Sequence, residues 1–167
     1  MKKIMIIGIP GAGKSTLAKQ LNKFLQIPVY HMDKIFWKSG WKQISRKELI
    51  AETQKIFKKE TWIIDGNYSA TMEMRMKEAD PIIFLHYRTM TCLYGIIKRR
   101  ITYHNKTRPD LGTGCREKLD WEFFNYVRTF NKKKTSYIYE LLSAYTSKDI
   151  LIFRNRKELT NFLRKIG

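Results

Sequence analysis

Residues 8–16 read Gly8-Ile9-Pro10-Gly11-Ala12-Gly13-Lys14-Ser15-Thr16, and the fold turns on this stretch. It fits G-x-x-x-x-G-K-[ST], the phosphate-binding loop. Each residue type has a physical reason to be there. The glycines let the backbone curl with its N–H groups pointing inward, a path that side chains would block. The lysine supplies a point charge for the β- and γ-phosphates, and the serine hydroxyl can ligate Mg²⁺. At average residue frequencies a chance match in a chain of this length is on the order of 1%. The flanks strengthen the match. Lys2-Lys3-Ile4-Met5-Ile6-Ile7 is a short apolar run of the kind that forms a buried parallel strand. Leu17, Leu21, Phe24 and Leu25 then fall on one helical face. Strand, loop and helix in that order aim the positive helix end at the anion that the loop holds. Gly8, Pro10, Gly11, Ala12, Gly13, Lys14, Ser15 and Thr16 are therefore the expected binding residues for the phosphates of ATP, with Lys14 also catalytic.

Further short apolar runs follow: Ile27–Met32, Thr61–Asp65, Ile82–Leu85 and Asp149–Phe153. Between them lie helical patterns. Ser45-Arg46-Lys47-Glu48 is a capping box, with Ile44 and Leu49 placed as a hydrophobic staple. Other helices are expected over about 71–79, 90–102, 115–134, 135–145 and the C-terminal stretch, where Asn155 and Glu158 form a cap. Five strands alternating with helices predict an α/β, three-layer P-loop NTPase fold: a five-stranded parallel sheet flanked by helices, as one domain over 1–167. Residues 103–114 hold one proline, two glycines and little apolar content, which predicts a lid at about 99–118.

In such sheets ligands bind beyond the carboxyl ends of the strands. Asp65 ends Trp62-Ile63-Ile64-Asp65, an apolar run closed by an acid, and is the expected Mg²⁺-side carboxylate together with Ser15. Asp33, after the second strand, can accept or orient the proton of an attacking hydroxyl, or can cap a helix over 34–37. Phe36, Trp37 and Trp41 suit either a planar acceptor or a core. Arg99, Arg100, Arg108 and Arg116 bracket the lid, and arginine forks there stabilise the charge that spreads over a transferring phosphoryl group, with Arg99, Arg108 and Arg116 the candidates for catalysis. Arg75 suits either an acidic acceptor or a surface. Arg156 lies beyond the fifth strand, near where similar kinases place the adenine.

Thirty-three Lys and Arg against fifteen Asp and Glu leave a net charge of +18. Such a field favours polyanions, whether nucleotides or nucleic acid, the latter without sequence preference. No run approaches the ~20 apolar residues of a membrane span. The opening residues are too short for a secretory leader, and Cys92 and Cys115 read as reduced thiols, so a cytoplasmic location is expected. The guanine-reading N-K-x-D is absent, and Gly66 rather than glutamate follows Asp65. A small-molecule kinase fits better than a GTPase or a motor ATPase.

Beyond the loop, His31-Met32-Asp33-Lys34 with Phe36-Trp37 and Trp41, Trp62-Ile63-Ile64-Asp65-Gly66-Asn67-Tyr68-Ser69, Lys98-Arg99-Arg100 and Arg108-Pro109-Asp110 extend the pattern over most of the chain. The chain resembles the DNA topology modulation proteins, which are adenylate-kinase-like. The resemblance implies a nucleoside-kinase-like fold, ATP and Mg²⁺ as cofactors and a phosphotransferase acting on a small molecule, such as a nucleoside or nucleotide. Adenylate kinases follow the corresponding Asp-Gly with a proline and an arginine. Here Asn67 and Tyr68 stand instead, which counts against AMP as acceptor. The alternative is a nucleotide-responsive DNA-binding regulator with little transferase activity.

Overall fold

The computed structural model describes residues 1–104, 106, 108–112, 114–115 and 119–166. Strand β1 (Lys3–Gly8) sits at the centre of a five-stranded parallel sheet with β2 (Val29–His31), β5 (Trp62–Asp65), β6 (Ile82–Leu85) and β7 (Ile150–Phe153), in the order β2-β5-β1-β6-β7. The central strands are apolar on both faces because helices cover both. Ile4 to Ile7, Trp62 to Ile64 and Ile82 to Leu85 are fully buried.

Helix α1 (Lys14–Leu25) buries Leu17, Ala18 and Leu21, and Gln26 closes it in a left-handed conformation. Helix α3 (Arg46–Phe57) starts as the capping box requires: the Ser45 hydroxyl accepts from the Glu48 amide at 3.1 Å, and Ile44 and Leu49 are both buried. Helices α4 (Ser69–Glu78), α5 (Thr89–Thr102), α6 (Trp121–Ser143) and α7 (Arg156–Ile166) complete the layers. The Asn155 side chain caps α7 by accepting from the Glu158 amide at 3.0 Å, and the Glu158 carboxylate accepts from the Asn155 side chain at 2.6 Å and from the Arg154 amide at 2.7 Å.

Three local expectations change. A five-residue helix α2 (Met32–Phe36) follows β2, and β3 (Trp37–Lys38) and β4 (Lys42–Gln43) form a small antiparallel hairpin outside the main sheet. The expected helices over 115–134 and 135–145 are one helix that begins only at Trp121. Asp120 is its cap, accepting from the Phe123 amide at 2.8 Å. The Thr135 hydroxyl turns back to Asn131 at 3.1 Å instead of capping a new helix, and Val127, Phe130, Thr135, Ile138 and Leu142 form one buried stripe. Of the expected lid, residues 99–102 are the last turn of α5. No helix among the described residues is long and apolar enough to cross a membrane.

Candidate functional site

The phosphate-binding loop leaves β1 and enters α1 with Gly11 and Gly13 at φ of 86° and 94°, the left-handed region that glycine enters freely. It is braced on two sides. Asn67 grips Gly8 from the end of β5, accepting from its amide at 3.0 Å and donating to its carbonyl at 2.8 Å. Gly8 thus has both backbone groups engaged and lies behind the loop, whereas Pro10 to Thr16 line the cleft. On the other side Gly11 rests on α5. A Cβ at Gly11 would overlap the Cys92 carbonyl, and a Cβ at Gly95 would overlap that of Gly11. Lys14 folds over the loop and donates to the Gly8 and Ile9 carbonyls at 2.9 and 3.3 Å. Burial draws its ammonium below the ordinary lysine range, the charges of Asp33 and Asp65 oppose that shift, and Arg99 adds to it.

The loop opens on a cleft of about 1550 Å³ that extends to the aromatic residues of α2 and the hairpin. That exceeds the 300–1,000 Å³ or so of a usual single-ligand pocket, so two ligands fit. At its floor His31 and Asp65 are in-register partners on β2 and β5, and Nδ1 of the histidine lies 2.8 Å from Asp65 Oδ1. Asp33 lies in the first turn of α2, so it does not cap that helix; His31 occupies the cap position. Its Oδ1 accepts from the Tyr68 hydroxyl at 2.6 Å, and its Oδ2 lies 3.9 Å from Arg108. Burial, then the charge of Asp33 and the bond to it, push the Tyr68 phenol above its ordinary range, so Tyr68 stays a donor. Arg108 also donates to Asp110 at 3.1 Å. Both are almost fully buried, at 8% and 6% exposure.

Arg99 lines the cleft with its guanidinium 5.7 Å from the Phe123 ring centroid. Arg156, the first residue of α7, lines it from the far side. Arg116 lies outside the described residues. Arg75 faces neither an acceptor nor solvent. It is fully buried in α4, donating to the carbonyls of Gly66 (2.7 Å), Tyr68 (3.0 Å) and Thr71 (3.3 Å) and to the Thr71 hydroxyl (3.0 Å). It moulds the turn after β5 that presents Asn67 and Tyr68. Phe36, Trp37 and Trp41 are half-buried and line the cleft, packed edge to face on one another.

The sequence alone assigns no chemical role to His31, Asn67, Tyr68 or Asp110. Gly95, a glycine inside an apolar helix, was the one visible sign of a close backbone approach. The donor set suits magnesium. Among the described residues no three His, Cys, Asp or Glu side chains cluster as a metal cage. Mg²⁺ does not need one, because it binds through one or two carboxylates, water and substrate phosphates, and Ser15 and Asp65 line the cleft with the phosphate loop.

No protein-family model and no curated protein matches the chain. Solved structures do. A shikimate kinase from Acinetobacter baumannii, solved in complex with shikimate, aligns with a TM-score of 0.62 at 14% identity, over 99% of this chain and 90% of that one. A shikimate kinase from Bacteroides thetaiotaomicron aligns at 0.55 and 16% identity, over 98% and 94%. An uncharacterised protein from Eubacterium ventriosum aligns at 0.54 and 16% identity, over 99% and 97%. The chain has the three-layer α/β fold of P-loop kinases, and at these identities the likeness speaks to the fold alone.

Proposed function

We propose that the chain is a phosphotransferase that moves the γ-phosphoryl group of ATP to a hydroxyl of a small acceptor. One observation carries this reading: the phosphate loop and a carboxylate held by Tyr68 open onto one cleft with room for two ligands. The shared fold of kinases such as shikimate kinase supports it. The acceptor hydroxyl approaches Asp33, which takes its proton. The acceptor oxygen bonds to the γ-phosphorus as the bond from phosphorus to the β,γ-bridging oxygen breaks, and ADP leaves. Gly11 to Ser15 hold the triphosphate through backbone N–H groups, Pro10 shapes the loop ahead of them, and Lys14 moves from its loop carbonyls onto the β- and γ-phosphates. Arg99, with Arg116, balances the equatorial charge, and Arg108 holds Asp33 and Asp110 in place. Ser15 and Asp65, the latter oriented by His31, are the residues to hold magnesium, which supplies charge neutralisation at the phosphates. Arg156 flanks the adenine. Lid closure keeps water from competing with the acceptor.

Replacing Lys14 by Ala is expected to abolish transfer and leave the circular dichroism spectrum and unfolding midpoint intact. Unchanged turnover would reject the mechanism. The rival, a nucleotide-responsive DNA-binding protein related to topology modulation, draws on the +18 net charge. Fluorescence anisotropy on duplex DNA across a salt series separates them. The rival requires an affinity that changes with MgATP, whereas a steep salt slope indifferent to ATP is charge attraction alone.

A further inference from the structure

We infer that the acceptor is an uncharged ring compound with a planar face and a hydroxyl, a nucleoside being the probe of choice, and that it binds against the ring cluster Phe36, Trp37, Trp41 and Tyr68. The inference rests on the phosphotransfer reading only for what happens to the hydroxyl.

The ring cluster is a built wall. Phe36 lies 4.9 Å from Tyr68 and 5.0 Å from Trp37, centroid to centroid, and Trp37 lies 5.2 Å from Trp41. All four are half-buried and line the cleft. The cluster is continuous with Asp33, because Tyr68 is both a wall ring and the donor to that carboxylate. Trp41 adds an independent sign. Its φ is 61°, left-handed, directly after Gly40 at 73°. A bulky non-glycine residue rarely adopts that conformation, and such strained residues cluster at ligand sites. The turn of the β3–β4 hairpin is bent in the way that leaves the indole on the cleft. Leu49 and Met72, both buried, add apolar lining to the same cleft.

Charge decides between neutral and anionic acceptors. Arg108 is committed to two carboxylates, Asp110 at 3.1 Å and Asp33 at 3.9 Å. Arg75 is committed to backbone carbonyls. Arg46 lines the cleft but stands exposed to solvent. Among the described residues, a phosphate or carboxylate brought to this end would therefore meet Asp33 and Asp110 with their buried guanidinium already shared. A neutral base stacks on the rings at no such cost, and a sugar hydroxyl can reach the carboxylate.

The test is calorimetry on the full chain. Nucleosides and their 5′-monophosphates are titrated separately, with the nucleotide site first saturated by an ATP analogue carrying a β,γ-imido bridge. At least one nucleoside is expected to bind about tenfold or more tightly than its own monophosphate, and Trp41→Ala to weaken it about tenfold while Trp41→Phe restores most of the loss. Analogue affinity is expected to stay within about twofold of the parent in both variants. A monophosphate that binds more tightly than its nucleoside overturns the inference. So does nucleoside binding indifferent to Trp41→Ala, or no nucleoside binding at all. If the analogue itself fails to bind, the phosphotransfer reading falls, and the nucleoside titrations on the parent and Trp41→Ala chains still decide the ring site.

Discussion

His31 and Asp65 are joined at 2.8 Å because β2 and β5 are parallel and in register, so paired positions project to the same face of the sheet. Asp65 is almost completely buried, and His31 is the partner that orients it. A carboxylate on the metal side of a phosphate site needs such an outer partner, and removing one typically costs 10–100-fold or so in metal affinity. His31→Ala is therefore expected to raise the Mg²⁺ concentration for half-maximal ATP turnover by at least about tenfold, with His31→Asn recovering part of it. A Mg²⁺ titration of turnover reads this directly; superimposable curves would remove His31 from the site.

Gly95 makes an opposite prediction from what helix propensity alone implies. In an exposed helix Gly→Ala stabilises by about 1 kcal/mol. Here the new methyl would overlap the Gly11 carbonyl, so the loop or α5 must shift. Gly95→Ala is expected to destabilise the fold by about 1–3 kcal/mol and weaken ATP binding. Urea unfolding and calorimetry measure the two effects, and a stabilised variant with full ATP affinity would contradict the close approach.

Arg75 carries a stability prediction with no direct part in chemistry. Arg75→Met keeps much of the volume and strips the donors from the Gly66, Tyr68 and Thr71 carbonyls. The expected loss is about 3–5 kcal/mol in urea unfolding, because buried acceptors are left unsatisfied. A loss below about 1 kcal/mol would mean that water replaces the guanidinium.

Asp110 sets a pH dependence. Burial pushes its pKa up, but the Arg108 guanidinium, a backbone hydrogen bond and the Ser15 hydroxyl outweigh burial and hold it below the ordinary aspartate value of 3.8. A carboxyl whose folded pKa is depressed contributes stability that is present above its unfolded pKa and lost as pH falls through the folded value. The stability difference between the parent chain and Asp110→Asn is therefore expected to be level above about pH 5 and to shrink below about pH 4. Urea unfolding at stepped pH follows the gap, and a gap that widens in acid would reverse the assignment.

The core sheet was legible because each of its strands is a short apolar run bounded by breakers, and the order of loop, helix and strand leaves few topologies. The α3 start was legible because its cap is local. The β3–β4 hairpin was not: Ser39-Gly40 marks a turn, but strands of two residues each are too short to show an alternating pattern on either side of it. The supposed boundary before Thr135 misled because threonine and serine signal both a cap and a back-bonded helix interior.

Local chemistry along the chain determined the phosphate loop, the parallel sheet and the acids at its strand ends, because those features depend on neighbours within a few residues. Tertiary contact alone decided which partner each acid and arginine took. Asp33 met Tyr68 across 35 positions and His31 met Asp65 across 34, while Arg75 was buried on carbonyls. A charged side chain has no preference written in its own sequence for solvent, substrate or backbone; the choice follows from which strand lies beside which, and which donor the fold leaves within 3 Å or so of an acceptor.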